Sequence, residues 1–280
     1  TYTETENDLT VKANKRTFIF SKKDGQLKGV SVDNRKISFA NGPRFIGARR
    51  ADRSLDQFYN HDDEKAKEKD RTYSEFPDAA VFTKLDVKQD GGDLIVTANY
   101  KLGNLDKAQW TISPSGDLVL DYTYNFSGVV DLMGICFDYP EDQVISKRWL
   151  GAGPYRVWQN RIHGTQYDVW ENDYNDPIPG ETFTYPEFKG YFGDVSWMNI
   201  RTKEGIISLT NETPDAYVGV YQPRDGRDRL LYTLPESGIS LLNVIPPVRN
   251  KVNSTDLCGP SSQPKWVNGP QTGRIVFRFI

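Results

Sequence analysis

The chain has 280 residues and carries 35 Lys and Arg against 38 Asp and Glu, a net charge of −3. This length suits one large all-β domain or two ordinary domains with a sizeable core. The acidic balance gives no general attraction to nucleic acid or anionic membranes, and no apolar run reaches the ~20 residues of a membrane helix. We therefore expect neither nucleic acid nor membrane as a partner.

Apolar and polar residues alternate with a period of two along much of the chain, which is the pattern of half-buried β-strands. In chain order, this pattern predicts strands at residues 18–20, 27–30, 94–100, 118–124, 205–210 and 275–280, with Asp24-Gly25 as the first hairpin turn. Helical signals are scarce, and residues 62–71 are predicted to be a charged loop or one exposed helix. We predict an all-β fold, a large antiparallel β-sandwich, as a single domain over residues 1–280.

Residues 149–161 contain two Trp, one Tyr and two Arg around a Gly-x-Gly-Pro turn. One interpretation is that the turn directs these side chains outward, because flat aromatic rings beside guanidinium groups suit a surface that faces a sugar or a partner. On this interpretation Tyr155, Trp158 and Arg161 are candidate carbohydrate contacts. The alternative is a structural corner with buried Trp residues and Arg residues paired with carboxylates.

Carboxylates near residue 173 form the best acidic cluster for glycoside hydrolysis, which needs two converging carboxyl groups. Glu171, Asp173 and Asp176 lie beside Trp170 and Tyr174. Since turn-rich acidic segments are more often solvated loops, this cluster gives no catalytic assignment.

Histidine and cysteine are too few to point to a catalytic or metal site. His163 is interpreted as a hydrogen-bonded loop residue, and His61 lies in the charged run. Cys136 and Cys258 lack the spacing of a metal site and are predicted to be buried free thiols. We therefore expect no catalytic residue, no metal and no cofactor in this chain.

Residues 256–266 form a second informative stretch, rich in Gly and Pro, that carries Trp266. We predict a loop here. A Trp on a long loop can contact a ligand, or it can plug the end of the sandwich.

The order of several motifs resembles the C-terminal domain, or small chain, of family 2 glycoside hydrolases of the β-galactosidase type. The similarity covers most of the chain and includes residues 18–27, 110–116, 131–135, 185–187 and 194–197. Its strongest element is Trp-Leu-Gly-Ala-Gly-Pro at residues 149–154, followed by Trp-Gln-Asn-Arg at 158–161, where the family has WxGxGPxExYxDR. Tyr167, Gly259 and Trp266 also fall where the family pattern places such residues.

Two positions depart from the strongest motif, since Arg156 replaces a Glu of the family and Asn160 replaces an Asp. The paired acids of a further family motif are also missing near residues 48–52. These departures leave the sugar substrate open.

The resemblance implies a galactose mutarotase-like supersandwich. It also implies that the catalytic glutamates lie on a separate TIM barrel, with this domain contributing Trp266 to the edge of the sugar pocket. The expected partners are therefore a carbohydrate and other domains of a parent enzyme. A stand-alone carbohydrate-binding module and an aldose epimerase-like enzyme are the alternatives. Because Thr1 is not preceded by Met or a leader, we expect a removed signal or an excised fragment, which favours a periplasmic or secreted protein.

Overall fold

The computed structural model describes residues 1–50, 73–173, 190–220, 234–247 and 260–280. These residues form β-strands joined by turns, with two short 3₁₀ turns at Glu141–Gln143 and Pro260–Ser262. In chain order the strands are β1 (Tyr2–Glu4), β2 (Asp8–Ala13), β3 (Arg16–Ser21), β4 (Leu27–Val32), β5 (Arg35–Ile37), β6 (Ala40–Arg50), β7 (Tyr73–Glu75), β8 (Val81–Asp90), β9 (Asp93–Lys101), β10 (Leu105–Ile112), β11 (Leu118–Val130), β12 (Leu132–Asp138), β13 (Val144–Gly153), β14 (Gln166–Asp173), β15 (Trp197–Thr202), β16 (Gly205–Asn211), β17 (Tyr217–Gly219), β18 (Ile239–Val244) and β19 (Lys265–Phe279).

The strands form two large antiparallel sheets. One sheet has the order β1-β2-β3-β4-β6-β12-β18-β17, with β5 beside β4 and β7 beside β6. The other has nine strands in the described residues, in the order β14-β13-β15-β16-β19-β11-β10-β9-β8. The chain passes from the nine-stranded sheet to the first sheet between β11 and β12, where only Asp131 separates the two strands.

The main core fills the space between the sheets with inward-facing side chains. Along β11, Leu118, Leu120, Tyr122 and Tyr124 are buried while the residues between them are partly exposed, as period-two alternation predicts. Aromatic rings from both sheets meet in this core, and the ring centroids of Phe137 on β12 and Phe277 on β19 lie 5.5 Å apart.

A smaller apolar cluster covers the opposite face of β6, β12 and β18. Ile46, Leu132 and Leu242 alternate with residues of the main core and therefore point away from it. Segments outside the sheets cover these side chains with Val157, Trp158, Tyr191, Leu234 and Ile245. Val157 and Trp158 therefore help to close one face of the sandwich.

The predicted all-β antiparallel sandwich is confirmed. The hairpin around Asp24-Gly25 forms between β3 and β4, and the strands predicted at 94–100, 118–124 and 205–210 correspond to β9, β11 and β16. The last strand begins ten residues earlier than predicted, at Lys265. Residues 62–71 lie outside the described part of the chain. Among the described residues, no helix is long and apolar enough to cross a bilayer.

Candidate functional site

The first half of the segment 149–161 is the end of a strand rather than an outward turn. Gly151 and Gly153 belong to β13, where both are buried. Trp149 has no exposed surface; its ring packs edge-on against Phe192 at 4.9 Å, and its Nε1 donates to the carbonyl oxygen of Ala152 at 3.0 Å. This Trp is therefore a core residue.

The second half of the segment buries its largest side chains. Trp158 is completely buried in the smaller apolar cluster, with its ring centroid 5.7 Å from that of Tyr191. The Arg156 guanidinium is also buried, with Cζ 5.9 Å from the Phe192 ring centroid. The expectation that the turn directs Trp158 and Arg156 outward is wrong, because the indole fills the cluster over β6, β12 and β18 and the guanidinium lies against Phe192. The structural-corner interpretation is confirmed for both Trp residues.

Two predicted sugar contacts on this segment remain accessible. Tyr155 is half exposed, and Arg161 is exposed at the end of a tight turn in which Trp158 and Arg161 exchange backbone hydrogen bonds. Sugar contact by Tyr155 and Arg161 stays a prediction. Trp158, as placed here, offers no ring face to a ligand.

Trp266 lies on a strand and not on the predicted loop. Residues 265–277 pair with 118–130 in one unbroken register, in which Trp266 is opposite Val129. Trp266 is 72% exposed, the largest exposed fraction of any aromatic residue in the described chain. Beside it, the Ser127 hydroxyl donates to Asn268 Oδ1 at 2.9 Å, which links the two strands. The Gly and Pro residues of the stretch 256–266 all precede β19, which begins at Lys265.

Gln159 links the segment 149–161 to the turn that precedes Trp266. Its side-chain Nε2 donates to the carbonyl oxygens of Ser261 and Gln263, at 2.8 and 2.7 Å. Its backbone N–H donates to the carbonyl oxygen of Pro246 at 3.0 Å. Because Gln159 is buried, these bonds are partly shielded from water and hold the turn that leads into Trp266. No local pattern distinguishes Gln159 from its neighbours, because the contact spans about a hundred residues.

Replacing Gln159 by Leu is expected to loosen the turn before Trp266. Leu keeps the size of the side chain but removes the donor, so the carbonyl oxygens of Ser261 and Gln263 lose a buried partner. The loss should lower the free energy of unfolding by about 1–3 kcal/mol, measured by urea denaturation. Replacing the exposed Gln166 by Leu is the control and should change stability little. An equal effect of both substitutions would contradict this role of Gln159.

Other candidate residues lie apart from this site or outside the described residues. Glu171 and Asp173 belong to the edge strand β14, where both are exposed, and His163 is exposed. Cys136 is a buried free thiol, as predicted; burial raises its pKa to about 11, against the opposing charge of Arg44. Outside the described residues lie the remaining candidates and motif positions: Asp52, His61, Tyr174, Asp176, Tyr185, Pro186, Glu187, Cys258 and Gly259. The described residues contain no group of three or more His, Cys, Asp or Glu side chains that could hold a metal ion.

Several solved structures are similar to this chain. Galactose 1-epimerase from Lactobacillus acidophilus NCFM superposes with a TM-score of 0.53 at 11% identity, covering 100% of this chain and 98% of that one. A galactose mutarotase-like protein from Lactobacillus casei ATCC 334 superposes with a TM-score of 0.45 at 10% identity, covering 98% of this chain and 100% of that one. An aldose epimerase homologue from C. elegans superposes with a TM-score of 0.44 at 7% identity, covering 98% of each chain. At these identities the first match shows a shared fold, the galactose mutarotase-like sandwich.

Sequence comparison identifies the family. No curated protein sequence matches this chain. The family described as beta galactosidase small chain matches residues 12–245, which is most of the sequence. The expected resemblance is thereby confirmed, and the chain belongs to the beta galactosidase small chain family.

Proposed function

We propose that this chain is a non-catalytic accessory domain of a β-galactosidase-type glycoside hydrolase. In this proposal, a separate TIM barrel of the parent enzyme supplies the catalytic carboxylates. Trp266 contacts the sugar at the edge of the pocket that the two domains form together. Tyr155 and Arg161 are secondary candidate contacts.

The exposure of Trp266 is the observation that carries the proposal. An exposed indole face offers a flat apolar platform on which a pyranose ring stacks well. The 72% exposed side chain projects from a paired strand and not from a free loop. A ring held on a paired strand loses little conformational freedom when it binds, which favours ligand contact.

Membership of the beta galactosidase small chain family supports the choice of enzyme class. Gln159 supports the role of Trp266, because it fixes the turn at residues 261–263 that precedes this side chain. A contact at the edge of a pocket must be positioned to within a fraction of an ångström to aid catalysis. The proposal therefore predicts that positioning and exposure of Trp266 both matter for turnover.

Replacing Trp266 by Ala in the parent enzyme is expected to lower kcat/KM for a β-galactoside about tenfold. The loss of one stacked aromatic ring removes ~1–1.5 kcal/mol of transition-state binding, which corresponds to this factor. Trp266→Phe should recover part of that loss, because it restores an aromatic face. Tyr2→Ala removes another exposed aromatic ring, far along the first sheet at β1, and should leave the kinetics unchanged. Unaltered kinetics in Trp266→Ala would overturn the assignment.

The isolated 280-residue chain separates the accessory role from independent catalysis. We expect no turnover of aryl β-galactosides by this chain, because the proposal places both catalytic carboxylates on another domain. Robust hydrolysis by the purified chain, abolished by substitutions within it, would refute the accessory role. Tight glycan binding without the parent enzyme would instead favour a stand-alone carbohydrate-binding module.

A further inference from the structure

β14 forms one edge of the nine-stranded sheet, and no described strand pairs with its outer side. On its inner side it pairs with β13 over all eight of its residues in one unbroken register. Only Trp170 and Asn172 of these residues are half-buried, and the others are exposed. The strand is therefore regular and accessible along its outer side.

A hydrogen bond of β13 shows which backbone groups of β14 face the outer side. The carbonyl oxygen of Leu150 accepts from the N–H of Ser196 at 2.9 Å, so the backbone groups of Leu150 point away from β14. Val169 lies opposite Leu150 and therefore directs its own N–H and C=O to the outer side. Because this direction alternates along a strand, Tyr167 and Glu171 direct their backbone groups to the same side.

The side chain of Asp168 confirms the direction of the Val169 backbone. Val169 N–H donates to Asp168 Oδ1 at 2.7 Å and therefore takes no part in the ladder to β13. Both groups are exposed, and a hydrogen bond that water can replace contributes little net free energy. The carbonyl oxygen of an added strand could take over this N–H at little cost.

The opposite edge of the same sheet, β8, is protected against pairing with another strand. Its register with β9 shifts between Phe82 and Lys84. Lys84 Nζ lies 2.8 Å from Asp86 Oδ2, and Lys88 Nζ lies 3.3 Å from Asp90 Oδ2. Bulges and lysine side chains are features that keep edge strands from pairing. β14 contains no Lys, no Pro and no register shift, so it lacks this protection.

Apolar side chains extend from β14 into the outward face of the sheet. Val169 is 42% exposed and pairs with Leu150, which pairs in turn with Trp197 on β15. Tyr167 is exposed on the same face, and its hydroxyl oxygen lies 2.6 Å from Ser196 Oγ, which holds the ring in place. Apolar residues of an added strand would pack beside Tyr167 and Val169 as cross-strand neighbours.

The charge of β14 selects between possible partners. The strand carries three exposed carboxylates, Asp168, Glu171 and Asp173, and no Lys or Arg. Pairing with β14 of a second copy would double this negative charge without a cation on either strand, which disfavours such a dimer. Lys or Arg on a different strand would instead be attracted to these groups. The edge is therefore complementary to a basic strand and not to itself.

We propose that β14 is the docking edge for a strand of another domain of the parent enzyme. That strand carries Lys or Arg opposite the three carboxylates and apolar residues opposite Tyr167 and Val169. It bonds to the backbone groups that face the outer side and extends the sheet by one strand. The inference rests on the accessory-domain role proposed above and adds the surface through which the domains meet. It does not involve Trp266.

Titration of the ¹⁵N-labelled 280-residue chain with the peptide acetyl-Lys-Thr-Lys-Val-Val-Lys-Val-amide, followed by NMR, tests the edge itself. In an antiparallel register opposite residues 167–173, this peptide places Lys opposite each carboxylate and Val opposite Tyr167 and Val169. We expect the amide signals of Tyr167, Val169 and Glu171 to shift. The analogue acetyl-Glu-Thr-Glu-Val-Val-Glu-Val-amide is the control and should cause no shift.

Two substitutions separate docking from folding. Val169→Pro removes an N–H that faces the outer side and none that bonds to β13, so the variant should lose peptide binding with little change in melting temperature. Glu171→Gln should weaken binding about twofold to fivefold, as expected for an exposed ion pair. Glu6→Gln is its matched control, because Glu6 is an exposed carboxylate between β1 and β2 in the other sheet. If Val169→Pro unfolds, the comparison of Glu171→Gln with Glu6→Gln still decides.

Hydrogen–deuterium exchange of residues 166–173 in the isolated chain and in the parent enzyme tests the partner. Exchange should be about tenfold slower in the parent enzyme, because the outer N–H groups become bonded there. Equal exchange in both, equal binding of the two peptides, no shift with the Lys peptide, or full binding by folded Val169→Pro would overturn the proposal. Slower exchange at higher concentration of the isolated chain would also overturn it, in favour of a second copy. The kinetics of Trp266→Ala do not enter these measurements, so the two proposals fail separately.

Discussion

Gly153→Val is expected to destabilise the chain by about 3 kcal/mol, as severe overpacking of a core does. Gly153 is the last residue of β13, and Trp170 of β14 lies across it. A Cβ atom at Gly153 would stand 2.4 Å from Cδ1 of the Trp170 indole, well inside any real contact distance. The indole cannot move freely, because its Nε1 donates to the carbonyl oxygen of Gln166 at 3.2 Å. Urea denaturation of the purified variant measures the loss.

Gly29→Val is the matched control for this substitution. Gly29 also lies within a strand, β4, but a Cβ atom there would meet no atom within 4 Å. Because Val favours strands, this substitution should leave stability unchanged or raise it slightly. If Gly153→Val unfolds like the unmodified chain, the close approach of Trp170 to Gly153 is not essential to the fold.

Trp158→Ala is expected to cost about 3–5 kcal/mol, the range for a large buried side chain. Its ring is completely buried and belongs to the cluster that covers β6, β12 and β18. Removing it would leave a cavity against Tyr191 and expose part of the face of the first sheet. In urea denaturation, this destabilisation would appear as a much lower midpoint or as loss of the cooperative unfolding transition.

Trp266→Ala makes the same chemical change at a surface position. Since 72% of Trp266 is already in contact with water, its removal should alter the free energy of unfolding by less than about 0.5 kcal/mol. The contrast between the two substitutions separates a structural Trp from a ligand-binding one. Equal destabilisation by both would mean that the indole of Trp266 packs against the protein in solution.

The sandwich itself follows from local sequence pattern. Period-two alternation predicts β9, β11 and β16, and a single Asp-Gly pair predicts the β3–β4 hairpin. These elements are predictable because their signals arise from residues that are neighbours in the sequence. β19 was predicted ten residues too short. Gly and Pro at residues 269, 270 and 273 weaken strand propensity, and pairing with a strand about 150 residues earlier overcomes that weakness.

The candidate site could be predicted only in part. Trp266 was selected from the sequence as an exposed residue, although on a loop. Trp158 is also predicted to contact a sugar, but its ring is buried. An aromatic residue near a Gly-Pro turn has the same local sequence pattern whether its ring is exposed or buried. Gln159 has no local pattern that marks it, since its role depends on partners about 100 residues away in the chain.

The position of β19 also sets the order in which the protein can form during synthesis. β19 lies between β16 and β11 and is the only connection, among the described strands, between the two halves of the nine-stranded sheet. Until residues 265–279 leave the ribosome, β13–β16 and β8–β11 remain two separate sheets, each with a long unpaired edge that invites aggregation. A ribosome stalled before residue 265 should therefore carry a nascent chain that binds chaperones, and emergence of β19 should allow the two halves of the sheet to join.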